Sequence, residues 1–379
     1  MATLTTDVLI VGAGPAGTAA AISILRYSKL SVVIIENSAF ESVKVGEQVS
    51  SSIFDILNYI DIKKDDFEAG CFLPGYGALA AWGNDNLSSR YSITSAYGES
   101  YQLNREKFDM HLVEKAVKMG AVILPRSRCT ALHQTQDNHW EAKVTHEVKG
   151  NMLITSKYLI DATGRQSAIC RQLGLEATKT DQLVGVGAFV HFEAGRKLMQ
   201  EIYLESVPYG WWYCSALPDD KMNITFFTDA DIVKQMQLHK IENWNALLAE
   251  TKFIKKLIQG SQSDERLWTR NAFSQITGTY SKPNFLGVGD AAVAFDPISS
   301  MGIGFALTSG CQGAKAIMDF NLGVASSITT YQNDLATAYR DFTNIKTQYY
   351  SKEQRWADAP FWSRRVEAIV DKLTPETVL

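Results

Sequence analysis

The stretch that decides the fold is DVLIVGAGPAG, residues 7–17. Its first five residues form a short apolar run that ends at a glycine, which predicts a buried parallel strand. Residues 15–26 then show the alanine-rich pattern of a helix, and residues 31–36, SVVIIE, predict a second buried strand that ends in an acid. A strand, a glycine turn, a helix and a second strand make a βαβ unit within the first 36 residues.

The glycines of this turn have the G-x-G-x-x-G spacing of a dinucleotide-binding loop. The first glycine allows the tight turn, the second leaves room for a pyrophosphate, and the third lets the helix pack closely against the strand. The amides at the start of the helix favour a phosphate group. Glu36 follows Gly12 by 24 positions and is expected to hydrogen-bond an adenosine ribose. The loop residues expected to hold the dinucleotide are Gly12, Gly14, Pro15, Ala16 and Gly17.

Composition excludes several classes of function. A formal net charge of −4 leaves no basic surface of the kind that nucleic-acid binding requires, so no nucleic-acid partner is expected. No run of about 18 apolar residues is present, which predicts no membrane span. Residues 1–6 lack the cationic start of a signal peptide.

The cysteines indicate a reducing compartment. They are five in number, widely separated, and without a C-x-x-C pair, so neither a disulfide framework nor a metal site is expected. A cytoplasmic location is the corresponding prediction. The cysteines are Cys71, Cys129, Cys170, Cys214 and Cys311.

A second glycine-rich region decides between the possible dinucleotides. Residues 287–292, GVGDAA, are followed by Asp296-Pro297 and then by a glycine-lined helix start. An acid in such a turn can hold a ribityl hydroxyl, and a helix N-terminus can stabilise negative charge on a reduced isoalloxazine ring. The pattern therefore predicts FAD, held by two distant segments. The residues expected to contact it here are Gly289, Asp290, Pro297, Gly302 and Gly304.

Three further motifs give the chain a resemblance to the para-hydroxybenzoate hydroxylase-like flavoproteins across residues 5–320. They are VGEQ at residues 45–48, NREKFD at 104–109 and DATGR at 161–165. The resemblance implies that Gly46, Arg105 and Asp161 lie against FAD. The electron donor is left open between NADPH and a partner reductase; no second G-x-G-x-x-G unit is present, so NADPH as donor would bind without a Rossmann domain of its own.

The rest of the chain predicts an α/β fold with three parts. The first is a Rossmann-type FAD-binding domain with a βαβ N-terminus, assembled from residues 1–80, 100–170 and 271–325. The second is a β-rich antiparallel substrate domain, residues 81–99 and 171–270, where apolar and polar residues alternate along aromatic strands. Residues 231–256 within it are expected to be helical. The third part is a helical C-terminal segment, residues 326–379.

Within that superfamily the chain resembles the flavin-dependent halogenases but departs from them at two places. The halogenase segment W-x-W-x-I-P aligns with YCSALP at residues 213–218, which lacks both tryptophans. Residues 71–86 contain no lysine to correspond to the one that halogenases use to handle hypohalous acid. These departures favour oxygen insertion over halogenation. The resemblance itself rests on GE at 46–47, YGWWY at 209–213, LP at 217–218 and FWSRR at 361–365.

In overall pattern the chain is most similar to the LodB/GoxB-like flavoproteins, which mature quinone-bearing amino-acid oxidases. The resemblance implies an FAD-dependent monooxygenase that uses O2 to hydroxylate a tryptophan of a precursor protein, towards cysteine tryptophylquinone. The alternatives are a small-molecule aromatic hydroxylase or tryptophan-halogenase-like enzyme, an FAD-dependent reductase of the geranylgeranyl type, and a non-enzymatic flavin-binding chaperone.

Few residues stand out as candidates for the chemistry. Glu47 is the candidate catalytic residue, because its loop position comes with the VGEQ motif. Trp82, Trp211 and Tyr213 are candidate substrate-binding residues, although consecutive aromatic residues of a strand must point to opposite faces. For His191 and Cys214 the simpler interpretations are a sheet histidine and a buried inert thiol.

Overall fold

The computed structural model describes residues 2–91, 99–263, 266–278, 280, 282 and 284–373. Residues 92–98 of the expected segment 81–99 lie outside the described residues, as do 264–265 of segment 171–270. The same holds for residue 1, for 279, 281 and 283, and for 374–379 of the expected C-terminal segment.

The elements follow one another in an alternating order. Those of the first half are β1 (Ala2–Val11), α1 (Pro15–Tyr27), β2 (Val32–Ile35), β3 (Gln48–Ser50), α2 (Ile53–Tyr59), β4 (Phe72–Gly75), β5 (Gly77–Ala81), β6 (Ser88–Tyr91), β7 (Ser100–Leu103), α3 (Arg105–Lys118), β8 (Val122–Leu124), β9 (Ser127–Gln134), β10 (Trp140–His146), β11 (Gly150–Asp161), α4 (Ala168–Gln172) and β12 (Ala177–Lys179). Those of the second half are β13 (Leu183–His191), β14 (Glu201–Val207), β15 (Gly210–Leu217), β16 (Lys221–Asp229), α5 (Ala230–Gln235), α6 (Ile241–Ala249), α7 (Ile254–Leu257), β17 (Gln262–Ser263), β18 (Trp268–Asn271), β19 (Gln275–Thr277), β20 (Phe285–Gly287), β21 (Val293–Ala294), α8 (Gly302–Asn321), α9 (Ser327–Tyr350) and α10 (Pro360–Leu373).

The predicted βαβ unit forms the centre of a mixed sheet. Strands β8, β2, β1, β11 and β20 run parallel, and β10 and β9 extend the sheet in antiparallel fashion. Residues 8–11 of β1 and all of β2 are buried, as expected of parallel strands covered on both faces. Helix α1 packs against α3 and α8 on this sheet. The Rossmann-like arrangement brings the glycine turn after β1 and the end of β11 to the same sheet edge.

A larger, mostly antiparallel sheet carries the second half of the site. In the described part of the chain its order is β17-β13-β16-β15-β14-β5-β6, with β18 also pairing with β13. Alternate residues give it two unlike faces. One face packs Trp212, Ile224 and Val186 against α6 and its Trp244. The opposite face presents polar side chains and two glycines, which makes it available for a ligand.

Two small sheets and the C-terminal helices complete the fold. Strands β3, β7 and β4 form one small sheet, and β12, β19 and β21 form the other. Helices α9 and α10 contact each other, and their aromatic residues pack with Trp211 and Leu183 of the large sheet. The α/β class, the β-rich sheet and the C-terminal helices agree with the sequence prediction, while the division of the chain into domains stays a prediction.

The helical prediction for residues 231–256 is wrong in detail. The chain forms three short helices, α5 to α7, instead of one long helix. Gln237 adopts a left-handed backbone conformation with φ 52°, which ends the first of them. Across the described residues, none of the helices combines the length and apolar character needed to span a membrane.

Candidate cofactor and substrate site

A cavity of about 320 Å³ lies between the two large sheets. Its walls come from the glycine turn after β1, the loop at residues 45–48, the turn after β11, and the segment between β20 and α8. The opposite wall is the polar face of β13, β15, β16 and β18. Since both expected FAD motifs and the expected substrate face line one cavity, cofactor and substrate can meet there.

The glycine turn has the shape that a pyrophosphate requires. Gly12 adopts φ +111°, and a Cβ there would overlap the carbonyl oxygen of Ala162. A Cβ on Gly17 would overlap the carbonyl oxygen of Gly12, so both positions need glycine for packing. A Cβ on Gly14 would meet nothing within 4 Å, which leaves that side of the loop open to a ligand. The residues present therefore fit a dinucleotide phosphate.

Glu36 lies beside this turn at the end of β2. One carboxylate oxygen accepts a hydrogen bond from the amide of Ala13 at 2.9 Å. The other accepts from the amide and hydroxyl of Ser38 at 2.8 and 2.7 Å. The carboxylate thus holds the turn in place from the side, and its expected contact with a ribose stays a prediction.

The position of Asp161 contradicts the expectation that its side chain lies against FAD. Its side chain is fully buried, and its two oxygens accept four hydrogen bonds, from the amide and hydroxyl of Thr163 and from the amides of Ile169 and Cys170. The carboxylate has no open side for FAD and instead fixes the turn into α4. The backbone that follows it, at Ala162 and Gly164, lines the cavity.

Arg105 joins the loop at residues 45–48 to helix α3. It pairs with Asp109 through two hydrogen bonds of 3.0 and 2.9 Å, and donates to the carbonyl oxygens of Val45 at 2.8 Å and Gly46 at 2.9 Å. The guanidinium also lines the cavity. It therefore holds Gly46 and Glu47 in position while presenting a positive charge to the cavity.

The second glycine-rich segment closes the cavity beside α8. Gly289 has φ +57° and its amide donates to Ser309 at 2.9 Å, with Ala16 of α1 so close that a Cβ would collide. Asp290, Pro297 and Gly302 line the cavity, with Asp290 forming an ion pair with Arg165 at 3.4 Å. Gly304, in the first turn of α8, lies between the lining residues Ile303 and Ala306 but does not itself line the cavity.

Glu47 is the most unusual group in the cavity. Its side chain is 3% exposed; Oε2 accepts a hydrogen bond from Asn223 at 3.1 Å, and Oε1 has no partner. Burial raises the pKa of this carboxyl to about 7, against the opposing charge of Arg105. A group with this pKa can accept or donate a proton near neutral pH. Tyr213 lines the cavity next to it, and burial together with the charge of Glu47 raises the pKa of its phenol.

Comparison with known proteins places this site in a family. Residues 5–338 match the family model described as FAD binding domain. The chain belongs to this FAD-binding family. LodB of Marinomonas mediterranea, which carries the name of an FAD-dependent oxidoreductase, is 39% identical over 360 residues, covering 95% of this chain and 96% of LodB.

Two solved structures show the same fold at low identity. The flavin-dependent halogenase CmlS superposes with a TM-score of 0.83 at 21% identity, covering 98% of this chain and 70% of CmlS. The peptidyl tryptophan dihydroxylase QhpG, essential for tryptophylquinone cofactor biogenesis, gives 0.74 at 20% identity, covering 96% and 79%. The protein is thus an FAD-dependent oxidoreductase, and its fold is that of the flavin-dependent halogenases.

The structure removes two expected substrate residues from the cavity of this FAD-binding protein. Trp211 is fully buried; it donates to the hydroxyl of Tyr350 at 3.0 Å and stacks on Phe227 at 4.3 Å. Trp82 donates to the carbonyl oxygen of Tyr349 at 2.9 Å. Trp211 does share a strand face with Tyr213, but it lies two residues earlier in β15, where the C-terminal helices cover the sheet. Both tryptophans are packing residues.

Two weaker candidates for the chemistry also lie outside the cavity wall. His191, at the end of β13, is not among the residues that line the cavity. Cys214 points to the apolar face of the large sheet, where it is fully buried and burial raises the pKa of its thiol. A thiol in this environment is unreactive.

Sequence reasoning missed the aromatic wall of the cavity. Phe227 and Trp268 line it, and they fit because Gly185 and Gly187 opposite them carry no side chains; a Cβ on Gly187 would collide with the Trp268 ring. The alternation of Asn223, Thr225 and Phe227 along β16 was a usable signal, since period-2 alternation places these residues on one face. For Trp268 no sequence signal pointed to the cavity.

Proposed function

We propose that the protein is a monooxygenase that hydroxylates a tryptophan side chain of a precursor amino-acid oxidase during cysteine tryptophylquinone biogenesis in the cytoplasm. The observation that carries this proposal is the buried Glu47 carboxylate with one unpaired oxygen, set in a cavity wall of aromatic rings. Among the described residues that line the cavity, the cations are arginines and no lysine is present. The halogenases that the chain resembles need a lysine amine, so the cavity suits oxygen insertion better.

Two of the similar proteins also support the proposal of tryptophan hydroxylation. LodB is similar over nearly the whole length of both chains. QhpG, which shares the fold, is named as a peptidyl tryptophan dihydroxylase. An indole is also the electron-rich ring that an electrophilic oxygen attacks without prior deprotonation.

FAD would be held by the glycine turn at residues 12–17, by Arg105 and by the segment 289–302, because these residues fit its phosphates and line one cavity. When bound and reduced, FAD supplies the electrons that activate O2 to an electrophilic oxygen donor. One oxygen atom enters a ring C–H bond and the other leaves as water. NADPH or a partner reductase remains the proposed source of electrons.

The residues of the cavity supply positioning and proton transfer. Trp268 and Phe227 offer flat surfaces against which an indole ring can pack. Oxygen attack leaves positive charge on the indole, and the ring regains aromaticity when the attacked carbon loses its proton. Oε1 of Glu47 is the free acceptor for that proton, while Asn223 fixes Oε2 and Arg105 holds the loop. The walls also keep water out, because Glu47 is almost fully buried.

The test is mass spectrometry of a candidate oxidase co-expressed with the wild-type protein, with the Glu47→Gln variant, or alone. We expect the oxidase tryptophan to gain oxygen with the wild-type protein, to gain much less with Glu47→Gln, and to gain none when the oxidase is expressed alone. An equal oxygen content of the tryptophan in all three samples would contradict the proposal. In a parallel assay the reduced protein is incubated with free tryptophan and bromide; bromotryptophan in the products would assign halogenation instead.

A further inference from the structure

An edge strand of the large sheet borders the cavity. In the described part of the chain, β18 has β13 as its one neighbouring strand, so its outer edge is unpaired there. Thr269, Arg270 and Asn271 of this strand are exposed. Trp268, Arg270 and Asn271 line the cavity. One short strand therefore belongs both to the cavity wall and to the protein surface.

The pairing of β18 shows which of its backbone groups point away from β13. The amide of Ala272, directly after the strand, donates to the carbonyl oxygen of Leu183 of β13 at 2.9 Å. In an antiparallel pair, residues that bond to the partner strand alternate with residues that do not. Arg270 therefore bonds to β13, whereas Thr269 and Asn271 direct their amide and carbonyl groups outward.

Two hydrogen bonds agree with this outward direction. The carbonyl oxygen of Asn271 accepts from Arg165, in the turn after β11, at 2.7 Å. The carbonyl oxygen of Thr269 accepts from the side chain of Arg270 at 2.9 Å. Both acceptors thus face away from β13, and the amides of Thr269 and Asn271 lie along the same edge. An extended polypeptide can pair with this edge.

The side chains of β18 that face the cavity continue its aromatic wall. Trp268 and Arg270 are two positions apart, so they project from the same face of the strand. Opposite them on β13 are Gly187 and Gly185. Among the described residues, the buried indole nitrogen of Trp268 has no hydrogen-bond partner. Such a group is rare in a folded protein, and a ligand in the cavity can supply the missing acceptor.

We propose that the tryptophan-bearing segment of the precursor oxidase binds as an added β-strand along the outer edge of β18. This inference rests on the proposed function and specifies how the substrate protein docks. The cavity of about 320 Å³ admits an aromatic side chain, while the polypeptide stays at the sheet edge. An added strand lies about 4.8 Å from its neighbour, and its alternate side chains project beside Trp268 and Arg270. The tryptophan enters the cavity from there.

This binding mode separates affinity from reactivity. Main-chain hydrogen bonds to a sheet edge give affinity for an extended segment, and a pocket for an alternate side chain gives specificity. Here the main-chain groups belong to Thr269 and Asn271, and the pocket is the cavity. Free indole has no peptide backbone, so it can occupy the cavity without using the edge. The two kinds of ligand therefore distinguish the edge from the cavity.

Thr269→Pro tests the edge with a small change. Proline removes the outward amide and is tolerated on an edge strand where that amide faces solvent, so pairing with β13 and FAD content should be retained. Thr269→Ala keeps the amide and is the matched control. The probe is a synthetic peptide with the reactive tryptophan of the candidate oxidase at its centre, titrated into the oxidised holoenzyme. We expect Thr269→Pro to raise the Kd of the peptide at least about 10-fold and Thr269→Ala to leave it unchanged.

Two further ligands complete the test. Free indole should bind the wild-type protein and Thr269→Pro with equal Kd, because it does not use the edge. The same peptide with N-methyl groups on alternate residues should bind the wild-type protein more weakly, because the methyl groups block strand pairing.

The inference would be overturned by a peptide that the wild-type protein does not bind, by equal peptide Kd for wild type and Thr269→Pro, or by tight binding of the N-methylated peptide. These titrations need neither O2 nor turnover. A hydroxylated tryptophan together with binding that ignores the edge would refute the docking mode alone. Edge-dependent binding without hydroxylation would refute the proposed function alone.

Discussion

Asp161 and Glu47 are both buried carboxylates, and the contrast between them separates the two halves of the site. Asp161 accepts four hydrogen bonds from the turn that it organises. Glu47 accepts one from a side chain, and its second oxygen is unpaired. The first arrangement stabilises a fixed turn on which a cofactor can rest. The second keeps a polar group in a costly environment, as is common for groups that transfer protons.

The largest expected effect concerns the cofactor half. Gly14→Val should weaken FAD binding about 100-fold or more, equivalent to ~3 kcal/mol, because the new side chain fills the open face of the glycine turn. The chain itself should still fold, since a Cβ at this position meets nothing within 4 Å. FAD retention by the purified variant measures cofactor binding, and its circular dichroism spectrum measures folding. A yellow, fully loaded Gly14→Val protein would show that the turn is not the phosphate site.

Glu47→Gln tests the half of the site that is proposed to transfer the proton. It should lower kcat about 100-fold, the lower range for loss of a general base, while FAD affinity stays unchanged. The variant should be at least as stable as the wild type above pH 7, because it removes the need to bury an ionised carboxylate. Single-turnover kinetics and thermal unfolding check these two outcomes. A stable variant with wild-type kcat would exclude Glu47 from proton transfer.

The Asp161→Asn variant should behave in the opposite manner. Four hydrogen bonds to one buried acceptor hold the turn, and an amide cannot accept all of them, so we expect a loss of about 2–3 kcal/mol in the free energy of unfolding. Urea unfolding measures it. If stability were unchanged while the flavin spectrum shifted, Asp161 would be a cofactor ligand after all.

The raised pKa of Glu47 sets the pH dependence. The folded protein holds the proton up to about pH 7, above the ordinary carboxyl value of 4.5, so burial of the ionised form lowers stability as pH rises through this window. The base form appears as the pH rises through about 7, so kcat should rise there and reach a plateau at higher pH. A profile that is flat from pH 5 to 9 in the wild type would contradict this assignment.

The smallest effect is expected at Trp211. Trp211→Phe should cost about 1–2 kcal/mol of stability through its lost hydrogen bond and packing, and it should leave KM for the substrate protein unchanged. Tyr213→Phe, two positions along the same strand, is the matched comparison and should change kcat. An increase in KM for Trp211→Phe alone would return Trp211 to the substrate site.

The two halves also differ in how well the sequence predicted them. The glycine turn could be predicted because local backbone geometry requires glycine at Gly12 and Gly17, and a short motif encodes that geometry. Asp161 could not be assigned, since its partners Ile169 and Cys170 are held by a turn that the motif does not specify. Trp82 and Trp211 were placed wrongly because the C-terminal helices that cover them are remote in sequence. Glu47 was found from its motif, but its unpaired oxygen depends on strands β15 and β16.

The most direct test of the central proposal is turnover under ¹⁸O2 with the reduced protein and its precursor oxidase, followed by mass spectrometry of the tryptophan peptide. We expect an oxygen-bearing tryptophan whose mass increases when ¹⁸O2 replaces ¹⁶O2, and about 100-fold slower product formation with Glu47→Gln. A product oxygen that comes from water, or a tryptophan that gains a halogen instead, would contradict it.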